Sequence, residues 1–217
     1  MPEPDPQPAT DHYFTARPAT ADERRELTVR LAGRDVTVTT ARGVFSGDRL
    51  DKGTAVLLPV LEDDPGAAGR TGDVLDLGCG WGPVALSLAL LRPRQVVHAV
   101  DVNERALDLV RRNAERLGVG VRASLPDAVD PELRFAEVWS NPPIRVGKEA
   151  LHALLLQWLP RLAPGGRAHL VVQKNLGADS LQTWLGSGVL PGTRTERTTT
   201  SKGFRVLTVT REVTPGS

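Results

Sequence analysis

A single cysteine, Cys79, stands in the 217 residues. One thiol forms no internal disulfide and anchors no cysteine metal cluster. Histidine is scarce as well. The four present (His12, His98, His152, His169) show no paired spacing of the kind a structural zinc site uses, so no metal is expected. Long apolar runs are missing. Runs such as Val84–Leu91 fall far short of the ~20 residues a membrane span needs. The first twenty residues hold five prolines and no apolar signal core, so no secretory signal is expected and a cytoplasmic location is the default. No internal repeat is visible.

What is there is ordinary in bulk. Hydrophobic residues make up 40% and charged residues 24%, the composition of a folded globular chain. The length suits one large domain, or a core domain with an appendage. Net charge is only +1, yet it is unevenly spread. Residues 1–140 carry 17 Lys/Arg against 22 Asp/Glu, and residues 141–217 carry 10 against 4. The basic C-terminal part is compatible with a polyanionic partner, and equally with a solvated surface.

Residues 1–11 alternate proline with polar residues and are expected to form an unstructured tail. His12-Tyr13-Phe14 comes next as an apolar cluster. Leu27, Val29 and Leu31 alternate with polar residues, and so do Val36 and Val38, which predicts a β-hairpin about Ala32-Gly33-Arg34-Asp35. Ala55 to Leu61 predicts a helix that Pro59 kinks or ends. Asp63-Asp64-Pro65-Gly66 closes it. Residues 12–66 therefore read as an N-terminal extension, hairpin and helix, packing on a core of residues 67–217.

In that core, strand and helix alternate. Strands are expected at Val74–Leu77, Val96–Val100, Val119–Ser124, Phe135–Ser140 and Ala168–Val172. Between them lie helices at Pro83–Leu91, from an Asn103 cap to Leu117, and at Lys148–Leu162. Pro164-Gly165-Gly166 reads as a turn, and Asp179 as the cap of a short helix ending at Leu185. Two threonine-rich strands, Thr193–Thr199 and Phe204–Thr210, complete the chain with no helix between them, so at least one is antiparallel. The fold class is α/β, a Rossmann-like doubly wound sheet with helices on both faces.

Chemistry concentrates at three places. Val74 to Leu77 runs into Gly78-Cys79-Gly80-Trp81-Gly82, a strand, glycine turn and helix start that together admit a nucleotide-like ligand. Gly80-Trp81-Gly82-Pro83-Val84-Ala85 fits the dinucleotide spacing G-x-G-x-x-A. Gly78, Gly80 and Gly82 also give G-x-G-x-G behind an acidic Asp76, the pattern used for S-adenosylmethionine, whose cationic end suits that acid better than a pyrophosphate does. Asp101, at the end of the second strand, is the acid expected to accept ribose hydroxyls. Ser140-Asn141-Pro142-Pro143 closes the fourth strand on the same edge. The Asn141 side-chain carbonyl and the Pro142 backbone carbonyl are two acceptors for the hydrogens of an exocyclic amine, and the prolines stiffen the loop that aims them. Cys79 reads as packed, since no partner base is visible. His152 and His169 read as ordinary helix and strand residues, and Trp158 and Trp184 as core. Lys174, Arg197, Lys202 and Arg205 could form a basic rim.

Asp76 to Gly82, Asp101 and Asn141-Pro142-Pro143 resemble a class I S-adenosylmethionine-dependent methyltransferase. More narrowly, the chain resembles the "methyltransferase small" family, which includes ribosomal RNA guanine-N2 methyltransferases. Gly43-Val44-Phe45-Ser46, Leu50-Asp51-Lys52-Gly53-Thr54, Leu162 to Gly166 and Lys202 to Leu207 carry the narrower likeness. The resemblance implies a seven-stranded sheet with the last strand antiparallel. It implies S-adenosylmethionine as cofactor, held by Asp76, Gly78, Gly80, Gly82, Asp101 and Val102, with Asp51 and Thr54 flanking its methionine part. It implies Asn141 and Pro142 as catalytic residues, and Pro143, Ile144 and Arg145 beside the substrate. It also implies a partner in ribosomal RNA or a ribosomal subunit, no membrane, and a monomer.

Three positions depart from the family's pattern. Ile144 stands where an aromatic usually stacks on the target base, which leaves Trp139 or Phe45 for that task. Arg145 replaces a frequent histidine. The acid expected to contact adenine is missing from the end of the third strand, and Asp127 is its substitute. The acceptor favoured here is guanine N2 of ribosomal RNA. A glutamine amide, adenine N6, and a non-catalytic cofactor- or RNA-binding module remain as alternatives.

Overall fold

The computed structural model describes residue 20, residues 23–64 and residues 69–213, the side chain of Arg145 excepted. The expected tail over residues 1–11 and the His12-Tyr13-Phe14 cluster lie outside the described residues. The chain opens with an antiparallel hairpin, β1 (Arg24–Leu31) and β2 (Arg34–Ala41), then α1 (Thr54–Glu62). Next come β3 (Asp73–Leu77), α2 (Pro83–Leu91), β4 (Val97–Val100), α3 (Glu104–Leu117), β5 (Arg122–Ser124) and β6 (Phe135–Ser140). The last part holds α4 (Lys148–Trp158), β7 (Leu162–Gln173), α5 (Ala178–Leu185), β8 (Thr193–Ser201) and β9 (Phe204–Arg211).

The seven strands β3 to β9 form one sheet in the order β5-β4-β3-β6-β7-β9-β8. The first five strands of that order run parallel to one another, and β9 is antiparallel to both its neighbours. This is the expected α/β sheet with its last strand reversed. The period of two along β3 sends Val74 to one face and Leu75 and Leu77 to the other. On the Val74 side α1, α2, α3 and the hairpin share one core, with Leu31, Val38, Leu57, Leu86 and Leu107 among its fully buried members. On the Leu75 side α4 and α5 bring Leu155, Trp158 and Leu181 onto Val138 and Leu170.

The hairpin is held there by more than apolar contact. Asn113 of α3 is fully buried, and its side chain accepts from Thr39 N at 2.6 Å while donating to Thr39 O at 2.9 Å and Trp81 O at 3.2 Å. The amide thus gives β2 the donor and acceptor that a neighbouring strand would supply. It also ties the hairpin to the glycine turn.

Several element boundaries differ from the sequence reading. β5 starts at Arg122, not Val119, because Val119 N donates to Ala114 O in the left-handed Gly118 cap that closes α3. α4 stops at Trp158, and Pro160 sits in a 3₁₀ turn beyond it. Pro164-Gly165-Gly166 is not a turn ahead of a strand. It lies inside the long β7, as an irregularity against β6. Gly166 is required there: a Cβ would sit 2.8 Å from Ala163 O and 2.9 Å from Phe135 O. α1 runs through Pro59 to Glu62. The acceptor that Pro59 leaves unpaired belongs to Ala55, which borders an open groove. Gly177, at φ 100°, takes the N-cap of α5, which leaves Asp179 in the first turn.

Other single-residue expectations are also revised. Trp158 is core, but Trp184 is only partly buried and stacks on His152, ring centroids 3.6 Å apart. Arg205 is buried and pairs with Asp179, so it does not belong to a basic rim. Among the described residues, no helix is long and apolar enough to cross a membrane.

Candidate active site at the carboxyl edge of the sheet

β3 delivers the chain to the glycine turn. Gly78 N and Cys79 N both donate to Val100 O, at 2.8 and 3.1 Å, which ties the turn to the end of β4. Gly78, Gly80 and Gly82 all take positive φ. Gly82 is also crowded, since a Cβ would lie 3.0 Å from Val110 Cγ2. At Gly78 and Gly80 a Cβ would meet no protein atom within 4 Å, so these two backbone surfaces face open space. Cys79 is buried, and burial pushes its thiol up, which keeps it protonated.

Asp76 lies on the α2 side of β3 and is only 2% exposed. α2 begins with Pro83 and has no side-chain cap of its own. Asp76 Oδ2 meets that need from the strand, accepting Ala85 N–H at 2.9 Å. One carboxylate oxygen of Asp76 is thus taken up by the start of α2. Burial lifts its carboxyl from the ordinary 3.8 to about 7, the Ala85 N–H opposing and the Asp101 charge adding. A folded-state value above the unfolded one means that the folded chain binds more protons between those two values. The resulting stability is complete below about pH 4 and is lost as pH rises toward 7. Asp76→Asn keeps an acceptor for Ala85 and never ionises. In urea unfolding the variant is expected to gain on wild type between pH 5 and pH 8, by up to about 4 kcal/mol. A difference that does not change with pH would show that Asp76 carries no such cost.

Asp101 stands just past β4. Its Oδ2 accepts Gly80 N–H and its Oδ1 accepts Asn103 N–H, both at 2.9 Å. Burial raises this carboxyl, and those N–H donors oppose the shift. The same side chain therefore braces the glycine turn and remains partly exposed at the edge. Val102 beside it is 63% exposed, an apolar side chain left in the open next to the acid. Asp127 is exposed on a 3₁₀ turn after β5, at the same carboxyl edge.

Asn141 leaves β6 on that edge. Its Nδ2 donates to Asp51 Oδ2 at 2.6 Å and to Thr54 Oγ1 at 3.1 Å. Pro142 is buried, and its carbonyl accepts Ile144 N–H at 2.8 Å across Pro143 at φ −74°, ψ 76°. That inverse γ-turn sets the direction of the Pro142 carbonyl and leaves it one lone pair. Pro143 is exposed, while Ile144 is partly buried against the α4 core. Arg145 lies on the adjoining 3₁₀ turn, its side chain outside the described residues.

Of the two aromatics expected to stack on a target, Trp139 is excluded. It is fully buried, its Nε1 donates to Glu137 at 2.7 Å, and its ring stacks on His169. Phe45 is 52% exposed and lines one small cleft with Asp51, Thr54, Gly78, Gly80 and Asn141. Its loop is anchored by a residue read from sequence only as a helix cap. Asn103 Oδ1 does accept Arg105 N–H, but its Nδ2 also donates to Gly43 O at 3.0 Å. The contact of Asp51 with Asn141 joins residues 90 positions apart, and no local pattern announces it.

Comparison with known proteins agrees with this fold. The methyltransferase small domain family matches residues 35–208. The uncharacterized protein YbxB of Bacillus subtilis is 35% identical over 175 residues, covering 79% of this chain and 85% of that protein. A ribosomal RNA small subunit methyltransferase C of Pseudomonas aeruginosa is 34% identical over 151 residues, covering 67% of this chain and 44% of its own length. The chain thus spans less than half of that relative. Among solved structures, a 16S rRNA N2 methyltransferase of T. thermophilus in complex with AdoMet and guanosine shares the fold, with a TM-score of 0.72. The match covers 90% of this chain and 52% of that one, at 24% identity.

Proposed function

This chain belongs to the methyltransferase small domain family, and on that premise we propose that it is an S-adenosylmethionine-dependent N-methyltransferase acting on guanine N2 of ribosomal RNA. The observation that carries the reading is the placement of Asn141. Its amide stands at the carboxyl edge, in one cleft with Gly78 and Gly80. The residues present fit the cofactor. Open space over Gly78 and Gly80 leaves room for it, the partly exposed Asp101 carboxylate suits ribose hydroxyls, and Val102 offers an apolar surface for adenine. Bound S-adenosylmethionine supplies a methyl group on a positively charged sulfur, an electrophile that needs no further activation. Thr54 and Asp51 border the same cleft, and Asp127 is the acid nearest in sequence to the place where adenine contact is expected.

The chain's own work is positioning. Asn141 Oδ1 and the free lone pair of Pro142 O accept the two hydrogens of the acceptor amine. Held this way, the nitrogen turns pyramidal and its lone pair points into the cleft. A preorganised acceptor pair of this kind needs no strong base. Pro143, Ile144 and Arg145 flank the entering base, and Phe45 supplies the stacking face that Ile144 lacks.

Phe45→Ala is expected to raise KM for the RNA by about 5- to 150-fold, the loss of a stacking contact of ~1–3 kcal/mol, with cofactor affinity unchanged. Steady-state kinetics at saturating cofactor measures it, and an unaltered KM would remove Phe45 from the substrate site. In this reading residues 67–217 are the methyltransferase domain and residues 12–66 an extension that lends Phe45, Asp51 and Thr54 to the cleft. The setting that suits it is a cytoplasmic monomer meeting ribosomal RNA or a ribosomal subunit.

The test is direct. Purified protein is incubated with labelled cofactor and, separately, ribosomal subunits, free ribosomal RNA and total protein from a deletion strain. Label recovered as N2-methylguanosine after nuclease digestion is the expected result. Label in a glutamine side chain or in adenine overturns the acceptor assignment, and absence of cofactor binding by calorimetry overturns the enzyme.

A further inference from the structure

Asn141 can turn its side-chain amide either way about its last torsion, and only one way offers an oxygen to an incoming amine. Asp51 decides between them. Its Oδ2 stands 2.6 Å from Asn141 Nδ2, and Thr54 Oγ1 stands 3.1 Å from the same nitrogen. An ionised carboxylate only accepts hydrogen bonds, so the flipped amide would press oxygen against oxygen. Asp51 is itself held in place. The same Oδ2 accepts Gly53 N–H at 2.7 Å and Thr54 N–H at 3.1 Å, where the chain enters α1. Gly53 leaves space for the arrangement. A Cβ there would come within 3.0 Å of Asn141 Oδ1 and 3.2 Å of Nδ2, so the amide lies over a residue with no side chain.

We infer that Asp51 is a positioning residue for Asn141: with Thr54 it holds the Nδ2 side of the amide and so turns Oδ1 toward the acceptor amine. This rests on the reading of Asn141 as an acceptor for that amine. It assigns Asp51 to the orientation of the acceptor site, where the family resemblance implied a contact with the methionine part of the cofactor. Asp51, Gly53 and Thr54 then form one device with Asn141, built from two segments 90 residues apart in the chain.

The test uses ¹⁵N-labelled full-length protein. The Asn141 side-chain amide pair is assigned by its disappearance in Asn141→Ala. In wild type its two protons are expected to exchange with solvent at least about tenfold more slowly than those of exposed asparagines, as held donors do. In Asp51→Ala that protection is lost, with thermal melts confirming the fold. Asp51→Ala is also expected to lower kcat by about tenfold or more, the loss of one charge-assisted hydrogen bond, with cofactor affinity within about threefold. Asn141→Asp sets two carboxylates together and falls at least as far. Unchanged amide exchange in Asp51→Ala overturns the inference, and so does weakened cofactor binding at normal turnover in the same variant. If wild type methylates no RNA, the proposed acceptor fails while the exchange measurement still decides the role of Asp51.

Discussion

Asn141→Ala is expected to lower turnover by about 10²-fold or more while cofactor affinity stays within severalfold. The size reflects what the alanine removes. One of two acceptors for the amine is gone, and with it the hydrogen bond that favours a pyramidal, nucleophilic nitrogen. Fixed dipoles of this kind act without reorganisation at the moment of reaction, so their loss falls on kcat. Cofactor affinity is spared because the glycine turn and Asp101 belong to other segments, β3 and β4 with the loops after them. Single-turnover kinetics with calorimetric binding separates the two quantities. Equal losses in both would mean that Asn141 holds the cofactor and not the amine.

Asp101→Ala is expected to do the reverse, raising the cofactor dissociation constant by about 10²-fold. Two charge-assisted hydrogen bonds to ribose hydroxyls, at ~1.5–3 kcal/mol each, are enough for that figure. The structure adds a second cost. Asp101 also accepts Gly80 N–H, so its removal frees the turn over which the cofactor would lie. Asp101→Asn separates the two contributions. An amide oxygen still accepts Gly80 N–H, whereas the negative charge offered to the ribose is lost. Turnover at saturating cofactor is expected to remain within about tenfold, since Asn141 is untouched. Calorimetry showing the same affinity in Asp101→Ala as in wild type would remove the ribose assignment.

The parts of the site visible in sequence are those whose chemistry is local. The glycine turn comes from positive φ at residues that tolerate it, and its place after a buried apolar strand marks the carboxyl edge. The Asn103 cap and Gly118 stop of α3 hold as expected, because cap geometry depends on a few adjacent residues. Asn141-Pro142-Pro143 is readable for the same reason. Misread elements share the opposite character. Pro164-Gly165-Gly166 has the composition of a turn, yet it continues β7 because the carbonyls of a neighbouring strand approach Gly166 closely. Pro59 has the look of a helix kink or end, and α1 continues through it to Glu62 with Leu61 buried against the core. Arg205 reads as a surface cation until the fold brings Asp179, 26 positions away, beside it.

Taken alone, the sequence determined the class of fold and the carboxyl edge of the sheet at which the acid, glycines and asparagine gather. Period and turn chemistry act within a few residues, and that range is enough for all of these. The tertiary structure decided which aromatic is available, since burial removes Trp139 and leaves Phe45 beside the cleft. It decided that Asp76 is buried and caps α2 through Ala85 N–H. It also decided which way the Asn141 amide points, because only packing brings the Asp51 carboxylate onto Nδ2 from 90 residues away. An amide's direction is set by whatever donor or acceptor meets it, and in this chain the group that meets it comes from a separate segment.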